Sequence, residues 1–359
     1  MIHLSVQYLP DSVFQSNQVV TGNFTISIIS WGTSFEKIDE KKDYISPTFE
    51  AFKSNTVIIS ERRAEERMAL DPGYNPDIDP ATGLPIEGPY KNGYGPTSRD
   101  VLIPAFLAAY TKGDANKVTL DPFPSAMHMM PNWRINFDGL SRFAFVQTVF
   151  RSINLSHQYR STYSIGSYTT NLNYSPDENG LSYLRDLQQN FLPQYEMNVV
   201  SINEQFSPLI NIDLNWKSSL TTRLEYRKSR IVTLNLTSNQ VADARNNEVV
   251  VGVGYRFDNV QIAIRTGGTQ KTLKSDLNVR LDVSMRDNKT LARKLIENVN
   301  QPVVGSKVFT IGTAADYILS DRFNLQIFAD HTVNNPFVAS TFPTSNTNFG
   351  FSLKFTLVQ

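Results

Sequence analysis

The chain has no cysteine, which removes disulfide frameworks, thiolate nucleophiles and cysteine-ligated metals together. It has no excess of either charge, since 34 Lys and Arg balance 34 Asp and Glu. A nucleic-acid binder needs a basic surplus for its phosphate contacts, so this balance argues against nucleic acid as a partner. Long hydrophobic runs are missing too. The longest, Val101–Tyr110, is interrupted by Pro104 and falls well below the ~20 residues of a membrane-spanning helix. Together with a mean hydropathy of −0.28, this excludes a helical membrane protein. It does not exclude a β-barrel, whose lumen-facing half is polar. Met1–Val20 has neither the basic start nor the continuous apolar stretch of a secretory signal peptide.

Catalytic motifs are also missing. The histidines His3, His128, His157 and His331 show no paired spacing and no HExxH, and there is no GxSxG elbow. No enzyme activity, metal or cofactor is expected. Asp77, Asp79 and Thr82–Gly83 faintly resemble a calcium loop, but Ala81 occupies a ligand slot and no bidentate Glu follows. Gly252 and Gly254 form a bare GxG inside a strand, which fits close packing beneath a neighbouring aromatic better than a phosphate cradle.

What is present favours strands. Only 19% of residues are charged, while Tyr and Phe number 15 and 22, a composition that suits a β-rich chain. Residues 1–33 alternate, with Leu4, Val6 and Tyr8 in one run and Phe24, Ile26 and Ile28 in another. Residues 34–130 differ in character. The spacing allows a helix within Phe49–Met68, with Glu61–Arg67 read as a solvated charged face. Residues 71–98 are rich in Pro and Gly and predict irregular structure. Residues 98–112 predict a helix, with Ser98 as cap, Asp100 in the first turn and Gly113 just past the end.

Pro131 opens PNWRINFDGL, after which nearly everything alternates with period two. Ile210, Ile212, Leu214 and Trp216 oppose Asn211, Asp213, Asn215 and Lys217. Leu277, Val279, Leu281, Val283 and Met285 oppose Asn278, Arg280, Asp282 and Arg286. Charged side chains in mid-strand on the polar parity are what a wet lumen requires. Tight turns are expected at Lys217–Ser219, Asp258–Asn259 and Ser320–Arg322. Long loops are expected near Pro176–Pro193, Thr266–Ser275 and Asn334–Asn346. Short turns on one side and long loops on the other are the pattern of an outer-membrane barrel. At roughly 20 residues per strand and turn, 131–359 holds about ten to twelve strands, with two more before residue 34.

Two long motifs carry a resemblance: YGPTSRDVLIPAFLAAYTKGD at Tyr94–Asp114, and PNWRINFDGL at Pro131–Leu140. With HQYRSTYSIGSY at His157–Tyr168, VVVGVGYRF at Val249–Phe257 and TNFGFSLKFTL at Thr347–Leu357, they resemble the C-terminal part of the SprA/Sov family. These are the giant outer-membrane translocons of the type 9 secretion system of Bacteroidetes, linked to gliding motility. The resemblance covers essentially the whole chain. It implies an integral outer-membrane, protein-conducting function and a parent chain much longer than this one. It also implies partners: exported folded proteins bearing a type 9 C-terminal signal, a lipid-embedded PorV-like shuttle protein, a periplasmic plug protein, and inner-membrane motors that supply the energy.

The expected fold is therefore all-β: an antiparallel transmembrane β-barrel wall, the C-terminal part of a very large barrel, with an inserted loop and short-helix segment. Residues 1–33 supply strands, 34–130 the insert at a rim or in the lumen, and 131–359 strands to the closing one. Tyr94, Gly95, Pro96, Asp100, Pro104, Tyr110, Pro131, Asn132, Trp133 and Arg134 are candidates to gate the pore, dock a partner or brace the wall. Phe349, Phe351, Leu353, Phe355 and Leu357 resemble the C-terminal signal read by the barrel-assembly machinery. The competing expectations are a small self-contained porin or receptor barrel in the lipid bilayer, and a soluble β-rich adhesin.

Overall fold

In a computed structural model, the described residues are 2–7, 15–38, 43–125, 127, 129–266, 269–320, 323–337 and 341–355. Twelve strands form one antiparallel sheet. They are β1 (Ile2–Gln7), β2 (Gln15–Ser27), β3 (Trp133–Phe137), β4 (Phe150–Thr170), β5 (Tyr195–Met197) and β6 (Val199–Trp216). The rest are β7 (Leu220–Asn235), β8 (Gln240–Thr266), β9 (Thr269–Lys294), β10 (Val299–Ser320), β11 (Phe323–Pro336) and β12 (Thr344–Phe355). The main path runs β1-β2-β4-β6-β7-β8-β9-β10-β11-β12, with β3 and β5 also pairing with β4. β1 and β12 lie at the two ends of this path and do not pair with each other among the described residues, so the fold is all-β and antiparallel, with the described sheet open.

The predicted alternation translates directly into two faces. Along β6 and β7, Ile210 stands opposite Tyr226, Ile212 opposite Leu224 and Leu214 opposite Thr222, whereas Asn211 meets Glu225 and Asp213 meets Arg223. The apolar set continues through Val249, Val251 and Val253 of β8, which meet Met285, Val283 and Leu281 of β9. Cross-strand partners share a face, so one face is apolar and the other polar. Much of the apolar face is exposed, including Val251, Leu281, Met285, Phe309 and Ile327. Phe349, Phe351, Leu353 and Phe355 extend it along β12, with Phe349 at 81% exposure. Leu357 lies outside the described residues.

The longest strands far exceed what a bilayer needs. β8 has 27 residues, about 90 Å at ~3.3 Å per residue, against the ~9–11 residues of a membrane strand. The extra length at one end receives the insert. β2 and β3 both pair with β4, Ser27 opposite Thr162 and Trp133 opposite Tyr159. The insert therefore interrupts a single line of pairing along β4: the chain leaves near Ile28 and returns almost in register at Trp133. The Ile28 N–H donates to the Ser161 carbonyl (3.2 Å) and the Met130 N–H to the Ser27 carbonyl (3.0 Å), which closes the point of exit and return.

Among the described residues three helices build the insert: α1 (Trp31–Ser34), α2 (Pro47–Leu70) and α3 (Arg99–Thr111). A further short helix, α4 (Ala144–Val149), precedes β4. α2 starts where Ser46 Oγ accepts the Phe49 N–H (3.2 Å) and Pro47 takes the first position. It is longer than the sequence suggests and absorbs the charged run. That run is not simply a solvated face. Arg67 is buried, and Arg62 and Arg63 reach across to backbone carbonyls of Ala115, Val118, Asp100 and Leu120. α3 is apolar all round, and Val101–Tyr110 is buried at every position, as expected of a helix packed on all sides. Its left-handed terminal residue is Lys112 (φ 55°), one before the expected Gly113. The Gly113 N–H then turns back to the Ala108 carbonyl (2.8 Å).

The turn pattern needs correction in two places. Asp258–Asn259 is a bulge within β8, where register shifts between Phe257 and Val260. Thr266–Ser275 is no long loop, because Thr266 pairs with Thr269 and β9 begins there. The intervening Gly267–Gly268 lies outside the described residues, as do Asp321–Arg322 of the third expected turn. Lys217–Ser219 is a tight turn as expected. Residues 236–239 and 295–298 are tight turns as well, at the same end as the long 171–194 loop, so short turns are not confined to one side. The reason is length: strands this long meet in direct hairpins at both ends.

Candidate functional site: where the helical insert meets the wall

The insert packs on the apolar face of the sheet, at the end beyond the exposed belt. Ile26, Tyr163, Ile165, Val200, Ile202, Val232, Leu234 and Val241 form one buried cluster with Phe49, Phe52, Ile59 and the length of α3. The insert therefore lies at one end of the sheet, on the side opposite the charged face. The sheet there would otherwise expose those apolar side chains. Burying each one stabilises by about 1.5–3 kcal/mol, so insert and strand extension hold each other in place.

Charged groups sit inside this apolar junction. Arg230 of β7 and Asp243 of β8 form a two-point ion pair, Nε to Oδ1 at 2.9 Å and Nη2 to Oδ2 at 3.0 Å. Arg245 adds a second guanidinium, Nη2 to Oδ2 at 2.9 Å. Both arginines then reach the insert. Arg230 Nη1 donates to Thr33 Oγ1 (2.8 Å), and Arg245 Nη1 donates to the Glu36 carbonyl (2.7 Å). Thr33 Oγ1 lies 3.2 Å from the Tyr110 carbonyl, and the Tyr110 ring lies 5.3 Å from the Arg230 guanidinium. Burial pushes the Tyr110 hydroxyl above its ordinary range. Beside this cluster, Tyr159 Oη accepts the Ser30 N–H (2.9 Å) and donates to Glu204 (2.7 Å). Arg293, fully buried, donates to the Tyr44 carbonyl (2.6 Å). These contacts are directional and low-dielectric, so they specify one docked position for the insert.

The sequence-derived candidates fall into three places. Tyr94 and Gly95 hold the 171–194 loop: the Gly95 N–H donates to Asn190 Oδ1 (2.8 Å), and the Tyr94 ring packs on Phe191 (5.4 Å). Pro96 follows in the same turn, half-buried. Asp100, Pro104 and Tyr110 belong to α3. Pro104 has no N–H for the Asp100 carbonyl, and Arg63 Nε takes that acceptor instead (3.2 Å). Burial pushes the half-buried Asp100 carboxyl above the usual aspartate range, against the opposing pull of Arg63. Pro131, Asn132, Trp133 and Arg134 form the return to the sheet. Asn132 Oδ1 accepts the Ser161 N–H (2.8 Å), and Trp133 stacks on Tyr159 (4.4 Å). Pro131 and Arg134 are exposed.

Arg230, Asp243, Arg245 and Arg293 escaped the sequence reading. Their signal was present: each is a charge on the apolar parity of its strand, where Val232, Leu234 and Val241 set the pattern. His157 also lies on that parity, and its Nδ1 bonds the Leu209 carbonyl (2.6 Å). Gly252 and Gly254 pack beneath polar side chains rather than an aromatic. A Cβ at Gly252 would meet Asp282 Oδ1 at 2.6 Å, and one at Gly254 would meet Thr221 Oγ1 at 2.5 Å.

The polar face carries a chain of opposite charges. Arg223 and Arg227 flank Glu225 (2.7 and 2.6 Å), and Glu248 joins Arg227 (3.3 Å) to Arg286 (2.7 Å). Among the described residues no group of three side chains is placed to hold a metal ion. No helix is long and apolar enough to cross a membrane among the described residues. No protein-family model matches the chain, and no curated protein matches it significantly.

Proposed function

We propose that the chain forms part of the wall of a protein-conducting outer-membrane channel, a translocon of the type 9 secretion system as its motif resemblance implies. The observation that supports this most is the two-faced sheet. One face exposes a broad apolar belt across adjoining strands, and the other carries charges paired with one another. A soluble protein seldom leaves so large an apolar surface uncovered, whereas a lipid-facing wall with a wet lumen requires it. The open edges favour a wall continued by further strands over a small closed barrel, because an unpaired edge is not tolerated in hydrocarbon.

In this reading the polar face lines the passage for folded proteins. The insert stands over the rim on the lipid side, so docking or bracing suits it better than plugging. Shuttle and plug proteins would meet the channel from elsewhere along its rim or edges, and energy comes from inner-membrane motors.

The absence of cysteine allows a direct test. Cysteines at Arg223 or Asp282 on the polar face should react with hydrophilic maleimides and cross-link exported proteins in transit. Cysteines at Val251 or Leu281 should resist such reagents and react with lipid-soluble ones. Membrane insertion with no cargo cross-link from any polar-face position would remove the translocon reading.

A further inference from the structure

One register row marks the upper border of the apolar belt. Immediately inside it, Tyr226, Val249, Met285, Phe309 and Val333 lie side by side across five strands. The next row on the same face reads Trp133, Tyr159, Phe206, Lys228, Asn247, Asp287, Lys307 and Asn335, each paired with the next across eight strands. The switch from apolar to aromatic and cationic takes a single step. One row further, Arg245 pairs with Lys289. Beyond that, the insert covers the face.

The lysines lie over aromatic rings. Lys228 Nζ is 5.4 Å from the Phe35 ring, and Lys289 and Lys307 are 4.6 and 5.4 Å from Phe337. Lys289 is also 5.9 Å from Tyr44. Among the described residues neither Lys228 nor Lys307 is in an ion pair. Trp31, more than half exposed, packs edge-on against Trp133 (6.2 Å). The third tryptophan, Trp216, packs against Phe150 (4.3 Å) at the opposite border of the belt. Amphipathic rings at both borders are the signature of a membrane interface. Lysines occur at this border in a row with a single acid, Asp287.

We infer that this border is a binding surface for anionic phospholipid headgroups, with Lys228 and Lys307 as its cationic contacts and Phe35, Phe337 and Trp31 seated at headgroup depth. The inference rests on the membrane-wall reading above. It adds that the leaflet is gripped beneath the insert, so that the insert rides on the bilayer surface.

The test uses the full-length protein purified from its membranes and reconstituted in nanodiscs of phosphatidylglycerol or of phosphatidylcholine. Lipid retained through mild detergent is then counted by mass spectrometry. Phosphatidylglycerol should be retained preferentially. Lys228→Gln with Lys307→Gln should lower that retention by about fivefold or more, from the attraction of each lysine to an anionic surface. Lys354→Gln, on the polar face, should leave it unchanged, and inorganic phosphate should not displace the lipid. Equal retention of both lipids, a lysine-neutralised variant that retains as much as the parent, or displacement by inorganic phosphate would each overturn the headgroup site while leaving the wall reading intact. Failure to enter nanodiscs of either lipid would overturn both.

Discussion

Asp243→Asn should detach the insert from the wall while leaving the strands paired. In the parent protein one carboxylate accepts hydrogen bonds from two guanidiniums, Arg230 and Arg245, and both arginines bond the insert through Thr33 and Glu36. The pair is almost fully buried, with side-chain exposures of 3% for Arg230 and 0% for Asp243. The amide keeps the shape and removes the charge, which leaves Arg230 buried without a counter-ion. Losing one partner of a buried ion pair costs about 3–5 kcal/mol, and each ~1.4 kcal/mol is a tenfold change in an equilibrium. Opening of the insert should therefore become roughly a hundredfold to a thousandfold or more easier. Amide hydrogen exchange reads it: protection across Val101–Tyr110 of α3 should fall by that factor, while β8 and β9 near Val251 and Leu281 stay protected. Arg230→Met combined with Asp243→Leu should recover most of the protection, because an apolar pair of similar volume replaces a buried ion pair at little cost. Asp258→Asn, which touches only the exposed pair with Arg256, is the control and should change nothing. Parent-like protection of α3 in Asp243→Asn would show that apolar packing alone holds the insert.

Val251→Arg, at mid-belt on the exposed apolar face, should impair membrane assembly by about 2–4 kcal/mol; Thr221→Arg on the polar face should assemble normally, as heat-modifiable migration would report. Asp100 holds its proton more tightly when folded, because burial raises its carboxyl. Stability of the insert should therefore fall as pH rises from the ordinary aspartate range through the raised value, and Asp100→Asn should abolish that slope and stabilise α3 at neutral pH. Ser46→Ala removes the cap that accepts the Phe49 N–H and should cost about 0.5–2 kcal/mol, measured as faster exchange in the first turn of α2. Gly93→Ala requires a Cβ 2.2 Å from the Phe191 ring at a φ of 76°, so the 171–194 loop should lift and become sensitive to protease.

How much of this was legible in the sequence depends on whether the physical cause is local. Period-two alternation is a property of neighbouring residues, and it placed nearly every long strand and both faces of the sheet, from Ile210–Trp216 to Phe349–Phe355. The Pro- and Gly-rich character of residues 71–98 and the apolar run at Val101–Tyr110 were equally local, and so was the existence of α3. The helix α2 was only half visible, because its arginines read as solvent-facing until the carbonyls freed by Pro104 and by the loop after α3 were in place to receive them. Turn positions near Asp258 and Thr266 were misread because a bulge and a hairpin share the same residue types, and only cross-strand register separates them.

The insert's position is decided by tertiary structure alone. No local pattern says that residues 28–132 interrupt one line of pairing along β4, or that they cover the apolar rather than the polar face. That follows from long-range pairing, with Ser27 and Trp133 meeting almost adjacent partners on β4. Arg230 and Asp243 lie on different strands and become a pair only when β7 and β8 align. The border row from Trp133 to Asn335 likewise exists only once eight strands are in register. The sequence by itself determined the strands, their two faces and the presence of a helical segment, because these depend on spacing along one chain. The open edge-to-edge path, the buried charge cluster and the row of aromatics and lysines were decided by which distant residues the sheet brings side by side.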